Sequence, residues 1–314
     1  MKLITPTDHQ LNDHHRDLFQ QGAGVIATDG DLSAGLWFDH TPEYQGRKIG
    51  TIGGCEINEA AAGFLSDCAD YLHREHQCQT VVGPMNGNTW QQHRLVLDSN
   101  GRDPFFMEPI EPAHFLETFR AAGFEELSSY SSSSVDLTAT ARDFASLEKR
   151  LQAASVTIRP IDPAKFESDL GAIFDLSLIS FANNFLYTPL KKSSFVGKYM
   201  SAQDHIDPDL VLLVERDDDL VGFVFCMPDL FAVKQGKPPA IIVKTLAVLP
   251  ERNLSGLGSL LVFKAQAIAK SKGYTEAIHA LQYQSNSSRR ISDRFDAKIF
   301  RQYALMAKTF TQIS

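Results

Sequence analysis

The run Pro250-Glu251-Arg252-Asn253-Leu254-Ser255-Gly256-Leu257-Gly258 carries the clearest chemical signal in this 314-residue chain. Gly256 and Gly258 lack a Cβ where a ligand would approach the backbone. An apolar β-branched run precedes the loop at 241–248. An amphipathic helix follows at 256–272, with Leu257, Leu260, Leu261, Ala265 and Ile268 on one face. The order strand, Gly-containing loop, helix aims unpaired amides and the positive end of a helix dipole past the strand. Such a place suits a phosphate or pyrophosphate, with Arg252 and Asn253 as further donors at its shoulder. The spacing is equally that of a plain connection whose glycines only shape the turn.

The elements that would hold this loop fall into two halves. In the first, strand character appears at 24–27, 32–39, 47–56 and 80–83. Helices are expected at 57–76, with Asn58 as N-cap, and at 114–122, ahead of Gly123. The Ser-rich stretch 128–134 reads either as a linker or as a strand. The alternation of Val135 and Leu137 favours the strand. A connecting helix is expected over 138–154. The second half then reads as a strand at 156–159, helices at 165–181 and 193–200, and a hairpin of 210–215 with 220–227 turned by Asp217-Asp218-Asp219. The strand and helix around the loop follow, then closing strands at 275–281 and 299–308. This is a mixed α/β pattern, not the strict alternation of a doubly wound sheet. The first half repeats the strand–helix–strand ending in weaker form, so two copies of one fold are expected in tandem. Their bounds are 1–138 and 156–314, joined by 139–155. The first-half junction, Cys55-Glu56-Ile57-Asn58-Glu59, puts carboxylates where a pyrophosphate would sit, so only the second half should carry the nucleotide loop.

Composition narrows the function classes. The chain is 43% hydrophobic and 22% charged, as in soluble globular proteins. No apolar run is long enough to cross a bilayer, and the start resembles no secretory leader, so the cytoplasm is the expected compartment and no membrane partner is expected. The net charge is −8 and no dense Lys/Arg tract occurs, which argues against nucleic acid as a partner. Cys55, Cys68, Cys78 and Cys226 show no CxxC spacing and read as buried, reduced thiols. His73, His76 and Cys78 supply too few ligands for a metal, so none is expected. No GxSxG elbow suggests a hydrolase. The irregular aromatic segment 181–189, with Asn184, Phe185 and Tyr187, is expected either to wall a substrate pocket or to plug the core.

Leu246-Ala247-Val248-Leu249-Pro250, the loop through Gly256-Leu257-Gly258 and the later Asn286 resemble the GNAT superfamily of CoA-dependent N-acyltransferases. Its loop pattern is Q/R-x-x-G-x-G/A. Here Asn253 stands at the first position and Arg252 lies one residue earlier. A narrower resemblance, to a bacterial group of large GNAT-like proteins, covers almost the whole chain. It rests on Phe181-Ala182-Asn183-Asn184-Phe185-Leu186-Tyr187-Thr188-Pro189-Leu190, Asp207-Pro208-Asp209-Leu210, Val221-Gly222-Phe223, Met227-Pro228-Asp229, Gly83-Pro84-Met85-Asn86 and Gly123-Phe124.

The resemblance implies that acetyl-CoA or another acyl-CoA is the cosubstrate. Its pantetheine would pair along Leu246, Ala247 and Val248. Its pyrophosphate would rest on Arg252, Asn253, Leu254, Ser255, Gly256, Leu257 and Gly258, with Asn286 near the CoA arm. The acceptor would be a primary amine of a small molecule or peptide, and Asn184, Phe185 and Tyr187 would line its pocket. Acyl transfer needs alignment, an oxyanion donor, a base for the amine and an acid for the thiolate. The strand offers Lys244 and Thr245 but no carboxylate. Asp229 is the base candidate, with a turn carboxylate as its other reading. The family's acidic Tyr is replaced by Ser292, Asp293 and Arg294 at that spacing. Tyr283 and Tyr303 are the nearest phenols, and Tyr283 is the acid candidate. Two alternatives keep the same fold: an acyl-CoA sensor without turnover, and a transferase drawing on aminoacyl-tRNA or acyl carrier protein.

Overall fold

The structure is a computed structural model that describes all residues except 9–10, 140–142, 153–154, 286 and 312–314. Its first half runs β1 (Lys2–Ile4), α1 (Asp13–Gln20), β2 (Val25–Asp29), β3 (Leu32–Trp37), β4 (Glu43–Tyr44), β5 (Arg47–Lys48), β6 (Gly50–Glu56), α2 (Ala62–His76), β7 (Thr80–Gly83), β8 (Leu95–Asp98), α3 (Phe115–Ala121) and β9 (Glu125–Asp136). After α4 (Ala145–Gln152), the second half runs β10 (Val156–Pro160), α5 (Phe166–Phe181), α6 (Lys192–Met200), β11 (Val211–Arg216), β12 (Asp219–Pro228), α7 (Leu230–Lys234), β13 (Ala240–Val248), α8 (Leu257–Ser271), β14 (Glu276–Tyr283), α9 (Ser287–Arg294) and β15 (Lys298–Thr309).

Most elements arise where their apolar spacing places them, and the deviations have local causes. The first long helix begins at Ala62 and not at 57. Asn58 is spent on a turn ahead of it, its Oδ1 accepting the amide of Ala60 at 3.0 Å. The connecting helix starts later than expected, at Ala145, and residues 140–142 and 153–154 of the expected span lie outside the described residues. Asp136 Oδ1 accepts both the amide and the hydroxyl of Thr138, a turn that holds this end of the segment out of helix. The Ser-rich stretch is neither linker nor exposed strand. It is the middle of β9, with Ser132 and Ser133 fully buried. β1, α1, β8, α7 and α9 are short, and α1 and α9 are mostly polar, so none of them is expected from the sequence.

β4 and β5 pair as a small separate sheet, and the other strands form one sheet in the order β1-β2-β3-β6-β7-β15-β9-β14-β13-β12-β11-β10, with β8 also beside β15. Most neighbours are antiparallel; β6–β7 and β13–β14 are parallel. The centre is an exchange. β9, the last strand of the first half, lies against β14. β15, the last strand of the chain, lies between β7 and β9. Helices cover both faces. In the second half, Leu212, Val214, Val224 and Cys226 point into a core with α8. Val211, Leu213, Phe223 and Phe225 alternate onto the other face, under α5 and α6. In the first half, α2 and α3 bury Phe64, Leu65, Phe115 and Phe119 against β6, β7 and β15.

Candidate active site

β13 and β14 run side by side from Ala240 opposite Glu276 to Val243 opposite His279, and then part. Both strands change register at that level. On β13, Thr245 faces Phe225 and Val243 faces Cys226, so Lys244 is an extra residue. On β14, His279 faces Ser133 and Gln282 faces Ser131. Leu281 between them is left-handed, with φ 54°, and donates its amide to Ser132 Oγ at 3.0 Å. Bulges bend a strand and end its pairing. The two arms therefore splay, with Leu246 to Val248 on one side and Leu281 to Tyr283 on the other.

The start of α8 lies beside this opening. Gly256 has φ 88°, a conformation that strains any other residue, and no side chain among the described residues caps the helix. A Cβ on Gly258 would come within 3.1 Å of Ile291 Cδ1 and 3.4 Å of Leu246 Cδ2. Leu254 and Leu257 are buried and pin the loop, whereas Arg252, Asn253 and Ser255 are exposed. Glu251 is paired with Arg216 at 2.8 Å and also bonded by Asn253, which together hold its carboxyl below the usual range. From α4, Arg150 donates to the Ser255 carbonyl and Leu147 packs at Gly256. The loop thus presents free amides, exposed polar side chains and a nearby guanidinium.

The matching place in the first half is filled. β6 and β7 part after Thr51 and Val82, but the chain following β7 enters the gap. The Met85 amide bonds the Ile52 carbonyl, and Asn86 Oδ1 accepts the Gly54 amide, both at 2.8 Å. A Cβ on Gly53 would lie 2.3 Å from Asn86 Oδ1.

A cavity of about 810 Å³ opens at the splay, walled by both halves. Asn184, Phe185, Tyr187, Leu246 and Tyr283 all line it. Phe185 stacks on Tyr283 with centroids 5.4 Å apart. The Tyr187 hydroxyl is buried without a partner among the described residues, and burial raises its pKa. Trp90 of the first half donates to the Thr188 carbonyl at 2.7 Å, tying the two walls together. Ala247, Val248 and the loop from Arg252 to Gly258 are not part of this lining. Asp229 is also outside it. Its Oδ1 accepts the amides of Phe231 at 3.1 Å and Phe106 at 2.9 Å, capping α7 and anchoring the turn before Glu108. Tyr303 is fully buried and donates to Glu108. Asn286 lies outside the described residues. The His73 ring stacks on Phe310 and that of His76 on Phe38, and no metal-binding group occurs among the described residues.

Sequence reasoning missed the charged lining, whose members come from distant places in the chain. Arg94, Glu108, Lys198 and Lys244 face the cavity with the imidazoles of His93 and His279. Glu108 has Arg301 Nε 3.0 Å from its Oε1, an ion pair without hydrogen-bond alignment, and the hydroxyl of Tyr303. Burial still pushes its pKa up, against the pull of Tyr303 and Arg301. Burial, helped by Arg94, holds His93 well below the usual histidine range. Lys244 alone had a visible cue, a charge inside the apolar run AIIVKTLAV.

Residues 181–291 match the family model described as "Acetyltransferase (GNAT) family". No curated protein matches the chain. Among solved structures, one is a GCN5-related glucosamine N-acetyltransferase region in a fungal multi-domain GH3 β-N-acetylglucosaminidase. It aligns at 14% identity and TM-score 0.55 over 96% of this chain, which spans only 35% of that one. A GCN5-related N-acetyltransferase from Sphaerobacter thermophilus aligns at 14% identity and TM-score 0.52, covering 91% of this chain and 79% of that one. A tandem GNAT protein from the clavulanic acid biosynthesis pathway aligns at 10% identity and TM-score 0.51, covering 93% and 82%. At such identities the likeness is one of fold. Residues 181–291 therefore match the GNAT acetyltransferase family, within a chain that shares the fold of a tandem GNAT protein.

Proposed function

We propose that this protein transfers an acetyl or longer acyl group from CoA to a primary amine of a small molecule or peptide. The observation that carries the reading is the paired bulges at Lys244 and Leu281. They open β13 from β14 beside an uncapped helix start and above a cavity of about 810 Å³. The free amides of α8, the exposed Ser255 and the Arg150 guanidinium suit a pyrophosphate. The arm from Leu246 to Val248, released from β14, offers backbone groups for a pantetheine amide and for the thioester oxygen. Bound acyl-CoA would supply the activated acyl group. The acceptor would enter between the first-half loop at Trp90 and the segment of Asn184, Phe185 and Tyr187.

Tyr283 is assigned the proton donation to the leaving thiolate, since it lines the cavity on the free arm of β14. No proton transfer is assigned to Asp229, which caps α7 outside the cavity lining. Water in the cavity can take the amine proton, because Lys244 and Arg94 beside it disfavour a third cation and so favour the neutral amine.

Calorimetry with CoA comes first, followed by mass spectrometry after incubation with acetyl-CoA and an amine panel. The panel holds amino acids, their decarboxylated counterparts, short peptides and glucosamine. CoA should bind, and at least one amine should gain an acetyl group. Tyr283→Phe should keep CoA affinity and lower kcat by about 100-fold or more. No CoA binding would sink the reading. An acyl-CoA sensor is the second reading, favoured by one observation: the lining carboxylate Glu108 is tied to Arg301 and Tyr303. It predicts CoA binding with no product from any amine.

A further inference from the structure

Arg94 is a buried cation without a counter-ion among the described residues. It is 7% exposed and lines the cavity, yet among the described residues no carboxylate pairs with it. Glu108, which shares the lining, is held by Arg301 and Tyr303. The partners of Arg94 are all neutral. Nη1 donates to the Leu281 carbonyl at 3.2 Å, Nη2 meets His93 Nε2, and the guanidinium lies 4.2 Å from the centroid of the Tyr130 ring. His93 Nδ1 is 2.8 Å from the Gln91 carbonyl. That fixes the neutral tautomer with Nε2 free to accept. Arg94 Nε has no partner among the described residues. Burial of a charge against neutral groups is costly, and here it draws the Arg94 pKa down to about 10. Tyr187, on the same cavity, also buries a hydroxyl with no partner among the described residues. Lys244 is a second cation of the lining that no carboxylate among the described residues pairs. Its Nζ contacts the Tyr199 hydroxyl and lies 4.9 Å from the centre of that ring.

We propose, on the acyl-transfer reading of this cavity, that Arg94 is the counter-ion of a carboxylate on the acceptor, so that the acceptor is an amino acid or another carboxylate-bearing amine. The Nε–H of Arg94 is buried and unsatisfied among the described residues, and a planar guanidinium with further N–H donors matches a carboxylate in two-point contact. A single buried guanidinium is offset by a single negative charge. A phosphomonoester brings about −1.5 to −2, more than Arg94 alone offsets, and would need Lys244 as well. Leu281 links this contact to the reaction site. The bulge that frees the β14 arm also turns its carbonyl to Arg94, so the carboxylate is held next to the splay.

The test is calorimetry on the full chain with matched pairs: lysine and cadaverine, phenylalanine and phenethylamine, histidine and histamine, tryptophan and tryptamine, and phosphoethanolamine with ethanolamine. At least one amino acid should bind roughly 30-fold or more tighter than its decarboxylated partner. Arg94→Gln should erase that ratio, and Arg94→Lys should keep part of it. Both variants should keep the wild-type CoA affinity, which also reports that they fold. Should neither variant fold, the matched pairs on the wild-type protein still decide. Decarboxylated amines bound as well as the acids, a preference surviving in Arg94→Gln, a preference only for phosphoethanolamine, or no binding of any amino acid would each overturn the proposal. Acid-selective binding without acyl transfer would leave Arg94 in place and remove the reaction. Transfer to decarboxylated amines would do the reverse.

Discussion

His279 is buried between β14, α8 and α9, with its Nδ1 2.7 Å from Ser292 Oγ and its Nε2 2.9 Å from the Gln266 amide nitrogen. Ser292 passes its own proton to Gln282 Oε1 at 3.0 Å. The chain is satisfied only if Gln266 donates to Nε2 and Nδ1–H donates to Ser292. His279 is then a neutral donor to the serine, not a base that would activate it. Desolvation by burial lowers its pKa to about 4, from an ordinary value of 6.5. An unfolded chain takes up this proton below about pH 6.5, whereas the folded protein resists it until about pH 4. Stability carried by the neutral ring is therefore full above 6.5 and lost as the pH falls through that window, by roughly 3 kcal/mol. Urea unfolding of wild type and His279→Gln between pH 7.5 and 4, values spanning that window, measures it. The wild type should lose stability more steeply, and parallel curves would refute the neutral buried ring.

At the scale of elements, the functional unit is β13, its loop and α8, and it was legible because its signals are local. A β-branched run, a proline, two glycines and an apolar helical stripe lie within one stretch of chain. Its electrostatics give a second prediction. Ser255 is exposed and lies just before Gly256 at the uncapped helix start. Ser255→Glu adds an anion where the helix dipole welcomes one, so the free protein should be unchanged or more stable by about 0.3–1 kcal/mol. The same charge repels a pyrophosphate, so CoA affinity should fall about tenfold, and added salt should soften the loss. Unchanged affinity in calorimetry would show that the nucleotide does not use these amides. What the sequence concealed is non-local or polar. α9, read from SSRRISDR, has little apolar residue to mark it beyond Ile291, and that side chain nonetheless packs at Gly258. The paired bulges depend on register against β12 and β9, which no window of one strand contains. Arg94 lies far in sequence from Leu281, its carbonyl partner, and no period or motif marks it. Phe185 and Tyr187 were visible as an aromatic cluster, but only the fold shows them facing the cavity.

At the scale of the whole molecule, the two halves share their central strands. β9 satisfies the exposed edge of β14, and β15 satisfies that of β7, from Met306 opposite Gly83 to Thr309 opposite Thr80. The serines of β9 suit this place. Their small side chains fit a crowded sheet centre, and Ser132 bonds both the Tyr303 hydroxyl at 2.9 Å and the Leu281 amide. The cavity needs the same exchange, because its walls carry Trp90 and Arg94 from one half and Tyr187 and Lys244 from the other. A chain cut within 140–142 would leave β7 of the first fragment without β15, and β14 of the second without β9. An open strand edge and a half-covered core favour aggregation over folding. Fragments 1–140 and 143–314, bounded at the undescribed residues, should each be insoluble or unfolded by circular dichroism when made alone. Made together, they should copurify as one complex that binds CoA and unfolds in a single transition. Independent folding of either fragment, or two separate transitions in the intact chain, would show that the exchanged strands do not bind the halves into one cooperative unit.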